Sequence, residues 1–236
     1  ALINEPRTTI TDLARVIKLD EALAAYILKN CNSPFYGIKN EVTSIPQALT
    51  LLGFSVLRTI LMTYFNKNLY SISGKSEINN KLWIHSIGVA SFSQAIARHL
   101  KLNEEEAYLA GLLHDIGKLI IYINDNTGYE KVLKTIENSE TESYIVEENT
   151  LGYDHTQIGT LIMKKWKFSR TLIDVAQHHH SVTHYNDPNK YIAVVAFADL
   201  LAHQEIDEER IDLTFFSYKY HLNEMTLEKI IDTGIM

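Results

Sequence analysis

The sequence predicts an all-α protein. Gly and Pro together number only 14 of 236 residues, against a usual share of about 12%. Apolar residues recur at spacings of three and four in one segment after another, the period of a helix with one buried face. No segment shows the apolar–polar alternation of a half-buried strand, and no internal repeat is present.

The elements follow in order. Thr9–Lys18 carries Ile10, Leu13, Val16 and Ile17 on one face, and Asp20–Asn30 carries Leu23, Ala24, Ile27 and Leu28. Asn32–Gly37 (NSPFYG) is built from turn formers. Ser44-Ile-Pro-Gln47 is a helix start, with a capping Ser, a Pro in the first turn and a Gln three residues on. Gly53 is expected to break that helix before Phe54–Phe65. Residues 71–80 (SISGKSEINN) are polar and mark the division between an N-terminal helical subdomain, 1–75, and a second domain, 76–236. Leu82–Leu100 reads as one helix, and Asn103-Glu-Glu-Glu106 caps another through Leu113. Thr141–Leu151 is helical and stops at Gly152. Asp154-His-Thr-Gln157 opens a helix towards Trp166, and Ser169 caps one through about His178. Asp187-Pro188 precedes Tyr191–His203, which is apolar nearly all round and therefore buried.

Composition narrows function. The net charge is −7, and it is uneven: residues 1–80 hold 8 basic and 6 acidic residues, while 81–236 hold 14 and 23. Arg15, Lys18, Lys29 and Arg58 form no dense basic patch, so nucleic-acid binding is not expected. The longest apolar runs, such as Leu119–Ile123, fall far short of the 18 or more residues that span a bilayer, so no membrane association is expected. Ala1–Arg7 lacks the basic-then-apolar order of a secretory signal. The single cysteine, Cys31, cannot form an internal disulfide, which fits the cytoplasm.

The ten histidines all lie between His85 and His221. His114-Asp115, in Gly111-Leu-Leu-His-Asp-Ile-Gly-Lys118, sits at a helix end where both side chains can turn to one point. Imidazole and carboxylate are good ligands for a divalent ion, and the preceding apolar residues would bury them, which is costly without a partner. His85 lies on a largely apolar helical segment, where, taken alone, a satisfied core histidine is the favoured reading. His155 follows a helix cap, a place for a cleft residue or a solvated one. Of His178, His179 and His180, at most two can share a site. Asp199, within Ala196-Phe-Ala-Asp-Leu-Leu201, is the most diagnostic, because a carboxylate amid apolar residues is rarely buried alone. Five histidines and two aspartates exceed the four ligands of one tetrahedral ion. They suit two ions about 3.5–4 Å apart, bridged by a carboxylate, which could polarise a phosphoryl oxygen and supply hydroxide near neutral pH. Lys118 could stabilise phosphate charge or simply answer the helix dipole at a helix end.

The order His85, His114-Asp115 in LLHDIGK, His155, His179-His180, Asp199 resembles the HD superfamily of metal-dependent phosphohydrolases over roughly residues 80–205. Ahead of it, Ala24-Ala-Tyr-Ile-Leu-Lys-Asn-Cys-Asn-Ser-Pro-Phe-Tyr-Gly37, Thr43-Ser-Ile-Pro-Gln-Ala-Leu-Thr-Leu-Leu-Gly53 and Leu57-Arg58 resemble the HDOD family, the HD-related output domains of bacterial signalling proteins. The resemblance implies a cytoplasmic bacterial regulatory domain. It implies His85, His114, Asp115 and Asp199 as core metal ligands and His155, His179 and His180 as the completion of a second metal position. One or two divalent ions (Fe, Mn, Zn, Ni or Mg) follow, with Asp115 and Lys118 as the catalytic candidates. The implied partner is a signalling protein, or a phosphorylated small molecule or nucleotide. An active metal-dependent phosphohydrolase is the alternative. The HD-GYP relatives that cleave cyclic di-GMP carry a Gly-Tyr-Pro loop after the His pair. Here the loop is Ser181-Val-Thr-His-Tyr-Asn-Asp-Pro188, and Lys81 stands where some of them add a Glu, which argues against that substrate and against a third metal.

Overall fold

The computed structural model describes residues 9–72, 77–139, 141–181 and 189–207. They are helical, with no strand among them. The chain divides into two compact units, 1–68 and 69–236.

The first unit holds α1 (Ile10–Ile17), α2 (Glu21–Cys31), a 3-10 turn (Pro34–Tyr36) and most of α3 (Ile45–Ile72). Thr9 and Asp12 cap α1 reciprocally, and Asp20 accepts the Leu23 amide to start α2. Asn32 explains the loop that follows. Its amide donates to the Val42 carbonyl at 2.9 Å, and its oxygen accepts the Val42 N–H at 2.8 Å. One side chain thus imitates a strand partner and closes the 33–41 loop, in which Gly37 takes a left-handed φ of 61°. Leu13, Ile17, Ile27, Cys31, Leu49, Leu57 and Ile60 pack into the core of this unit. Gly53 breaks the helical path as expected: its backbone, at φ 74° and ψ 172°, is not helical, and α3 resumes beyond this kink and runs to Ile72. By length and composition, Ile45–Tyr70 is able to cross a membrane. The kink divides that stretch, however, and Ile45, Ala48, Leu49, Leu57, Ile60 and Leu61 spend their apolar surface in the core.

The second unit holds α4 (Glu77–His99), α5 (Glu104–Leu113), α6 (Ile116–Asn124), α7 (Asn126–Ile136), α8 (Ser143–Leu151), α9 (His155–Lys165), α10 (Arg170–His178) and α11 (Lys190–Asp207). The expected caps are present: Asn103 accepts from Glu106 N, Asp154 from Gln157 N, Ser169 from Leu172 N, and Gly152 stops α8 at φ 83°. Helix α4 starts earlier than expected, within the polar 71–80 segment. Residues 182–188, with His184 and the Asp187-Pro188 start signal, lie outside the described residues, as does His221.

Two helices were not anticipated. Helix α6 buries Ile116, Gly117, Leu119, Ile121 and Tyr122, so it lacks the polar face that would reveal a helical period. Helix α7 does carry its signals: Asp125 accepts the Gly128 N–H at 2.9 Å, and Tyr129 and Val132 are buried at a spacing of three. Two glycines set the packing around these elements. Helix α4 packs on α5 and α11, while α6 packs on α9. A Cβ on Gly111 would lie 2.7 Å from the Val89 carbonyl oxygen of α4, and one on Gly117 would lie 1.9 Å from the His155 carbonyl oxygen of α9. The turn between α5 and α6, which carries His114-Asp115, is therefore pressed onto the start of α9.

Candidate metal centre

Four helix ends and two helix interiors converge on Asp115, which with His114 joins α5 to α6. Its two carboxylate oxygens face different neighbours. Oδ1 lies 3.2 Å from His155 Nε2 and 3.5 Å from His179 Nε2. Oδ2 lies 3.3 Å from His114 Nε2, 3.6 Å from His85 Nε2 and 2.6 Å from Lys118 Nζ. Asp199 Oδ1 approaches His85 Nε2 at 3.1 Å and His114 Nε2 at 3.7 Å. Two ligand sets result: Asp115, His155, His179 and His180, and next to it His85, His114 and Asp199, each with donor atoms within 4.8 Å of one another. Every proposed ligand is brought into one of these sets. His178, the last residue of α10, is in neither.

The hydrogen bonds around the rings orient them. His114 Nδ1 lies 2.7 Å from the Gly111 carbonyl and His179 Nδ1 lies 3.1 Å from that of Val175. A carbonyl only accepts, so Nδ1 carries the proton in both rings and Nε2 faces the site. Helix geometry supplies these carbonyls, three and four residues back. His180 is stacked on Tyr144 of α8, with ring centroids 5.1 Å apart, and its Nε2 lies 3.0 Å from that of His155.

Five of the metal-facing atoms are left without a hydrogen bond. His85 Nε2, His114 Nε2, His179 Nε2, Asp115 Oδ1 and Asp199 Oδ1 are all buried and make no hydrogen bond among the described residues. Each such atom ordinarily costs about 1–3 kcal/mol. Five of them gathered in one place, an Asp115 oxygen among them, are the arrangement a divalent cation satisfies, so the residues present fit a metal.

Electrostatics agree. Burial pushes the pKa values of His85 and His155 down, and burial together with His179 and His155 takes His180 down to about 2, so these rings keep the neutral form that binds metal. Burial would raise Asp115, but His114, Lys118 and His155 hold it well below the usual carboxylate range. His114 is the exception. Burial disfavours its charge, yet the Asp115 and Asp199 carboxylates hold its pKa at about 10. A cation bound between these groups would do the work of that proton. Two ions held here would supply Lewis-acid polarisation of a phosphoryl oxygen and access to hydroxide near neutral pH.

Lys118 is not an exposed helix-end residue: its ammonium is mostly buried on Asp115. Two residues at the site were not singled out from sequence. His203 lies one turn after Asp199, with Nδ1 2.9 Å from the Asp199 carbonyl and 3.3 Å from Oδ1. Its spacing of four on the helix that carries Asp199 was the available signal. Glu147, which bonds His155 at 2.6 Å, stands in a Glu-Glu doublet that looks like a solvated face.

The comparisons with known proteins bear on this geometry. The HDOD domain family model matches residues 1–182. The chain belongs to the HDOD family. An HDOD domain protein of unknown function from Geobacter sulfurreducens superposes with a TM-score of 0.75 at 26% identity, covering 97% of this chain and 78% of that one. A phosphohydrolase candidate from Shewanella amazonensis SB2B shares the fold, with a TM-score of 0.70 at 22% identity over 99% of this chain and 90% of its own. Among curated proteins, an uncharacterized protein of Treponema pallidum (strain Nichols) is 22% identical over 84% of this chain and 39% of its own length. Ribonuclease Y of Mycoplasmoides gallisepticum is 30% identical over 63% of this chain and 24% of its own. The chain thus spans well under half the length of these curated relatives. The HDOD membership and the His/Asp cluster together make this an HD-superfamily domain with a site suited to divalent metal.

Proposed function

We propose that the protein is a cytoplasmic HDOD module of a bacterial signalling system whose site, formed by His85, His114, Asp115, His155, His179, His180 and Asp199, holds two divalent ions and engages a phosphoester through them. The observation that carries this reading is the Asp115 carboxylate, with one oxygen turned to each ligand set, as a bridging ligand requires. Fold relatives support the signalling part: a signal transduction candidate from Marinobacter aquaeolei VT8 and the MmoQ response regulator from Methylococcus capsulatus share the architecture, at TM-scores of 0.72 and 0.55.

Hydrolysis of the bound phosphoester is the second reading, and the intact ligand set favours it. In that reading Asp115 would hold both ions, which would supply Lewis-acid polarisation of the phosphoryl oxygen, and the Lys118 ammonium beside it would stabilise charge on the phosphoryl group. The substrate class is a phosphodiester or nucleotide.

The test is metal content of the protein purified without a tag, followed by phosphodiesterase and phosphomonoesterase assays with Mn²⁺, Fe²⁺ or Mg²⁺. Two equivalents of metal without turnover support the module. Metal with turnover that Asp115→Ala abolishes supports the enzyme. No metal uptake under any of these conditions overturns both.

A further inference from the structure

The ring nitrogens behind the metal-facing atoms are held in two ways. His114 and His179 lean on backbone carbonyls of their own helical turns. His155 is backed by a carboxylate from another helix. Glu147 of α8 is fully buried. One oxygen, Oε2, takes both the His155 backbone N–H at 2.7 Å and His155 Nδ1 at 2.6 Å, while the other accepts the Tyr129 hydroxyl of α7 at 3.3 Å. The backbone N–H can only donate, so Oε2 accepts that bond, and in the ionised carboxylate Oε2 accepts the ring bond as well, from Nδ1–H.

A carboxylate has little reason to be in this place for packing alone. Among the described residues its only ion-pair partner is His155, and an apolar side chain of similar volume would fill the space without the cost of burying a charge. Two donors of one residue converging on one oxygen fix both the ring's rotation and its tautomer. That leaves the Nε2 lone pair of His155 directed at Asp115 Oδ1.

We propose that Glu147 is a positioning residue for the metal position made by Asp115, His155, His179 and His180, holding His155 in its Nδ1–H tautomer, and that Tyr129 anchors this carboxylate to α7. The proposal rests on the metal-binding reading above. A carboxylate behind a ligating imidazole raises its basicity, and loss of such a partner typically weakens metal binding about 10–100-fold.

The test uses the whole chain, stripped of metal, as wild type, Glu147→Gln, Glu147→Leu and Tyr129→Phe. Long-range ¹H–¹⁵N correlation spectra of the metal-free protein read which nitrogen of His155 carries the proton, and calorimetric titration with Mn²⁺ alone reads both equivalents. The expected result is a proton on Nδ1 in the wild type. Glu147→Leu should mix the tautomers and weaken by about 10–100-fold the same equivalent that His180→Gln weakens, sparing the other. Glu147→Gln, whose amide oxygen still accepts both N–H groups, should restore the tautomer and most of the affinity, and Tyr129→Phe should weaken the same equivalent less. A proton on Nε2 in the wild type, unchanged binding in Glu147→Leu, or equal loss of both equivalents without recovery in Glu147→Gln overturns the proposal. If Glu147→Leu does not fold, the wild-type tautomer and the Gln and Phe variants decide. Turnover is not read, so failure of the hydrolytic reading is separate. A wild type that takes up no Mn²⁺ overturns the proposed function, while the tautomer still decides the role of Glu147.

Discussion

Gly117→Ala places one methyl group where the structure leaves no room for it. The added Cβ would stand 1.9 Å from the His155 carbonyl oxygen and 2.9 Å from the Gly159 nitrogen. Contacts of this kind do not fall below about 3.0 Å, so α6 and α9 must separate by about 1.1 Å locally. Both atoms in the way belong to backbone, so no rotamer change relieves the clash. Overpacking of this kind costs about 1–3 kcal/mol, and for a protein of this size each kcal/mol lowers Tm by about 2–4 °C. The consequence for the site is larger than for the fold. His155 rides on α9 and Asp115 directly precedes α6, and metal–ligand distances tolerate only about 0.2 Å. The variant should therefore remain helical by circular dichroism and melt roughly 2–12 °C lower, yet lose the Mn²⁺ equivalent held by His155, His179 and His180. A variant that melts with the wild type and binds both equivalents unchanged refutes the claim that this crossing positions the site.

Three further outcomes follow from the same structure. Mn²⁺ at about 100 times its Kd should stabilise the wild type by about 2.7 kcal/mol, a rise of roughly 5–11 °C by differential scanning fluorimetry, and Asp115→Asn should abolish that rise because it removes the ligand shared by both sets. His180, with a folded pKa near 2 against 6.5 unfolded, contributes stability that is fully present above pH 6.5 and is lost as pH falls. In metal-free protein, His180→Gln should reduce the stability difference between pH 6.5 and pH 5 by up to about 2 kcal/mol, and an unchanged difference in melts at the two pH values counts against a buried neutral ring. Asn32→Ala removes both bonds to Val42 and should cost about 1–2 kcal/mol in urea unfolding while leaving Mn²⁺ binding intact.

The ligand types were legible because their cost is local. Asp199 amid apolar residues and His114-Asp115 after Leu112-Leu113 announce buried polar groups from the sequence alone, and the caps at Asn103, Asp154 and Ser169 announce where the helices that carry them begin. The choice of His179 and His180 over His178 needed the family resemblance, since a run of three identical residues holds no internal preference. Helix α6 was missed for a physical reason: an element buried on nearly every side has no amphipathic period.

What the sequence by itself determined, then, was the helical class, most helix starts, the HDOD resemblance and the chemical identity of the candidate ligands, all properties of residues and their near neighbours. Only the tertiary structure decided that Asp115 turns one oxygen to each ligand set, that Lys118 is buried against it, and that Glu147 and His203 belong to the site. Those facts depend on which helices cross and how closely, and the closeness is set at Gly111 and Gly117, where the absence of a side chain lets two backbones meet.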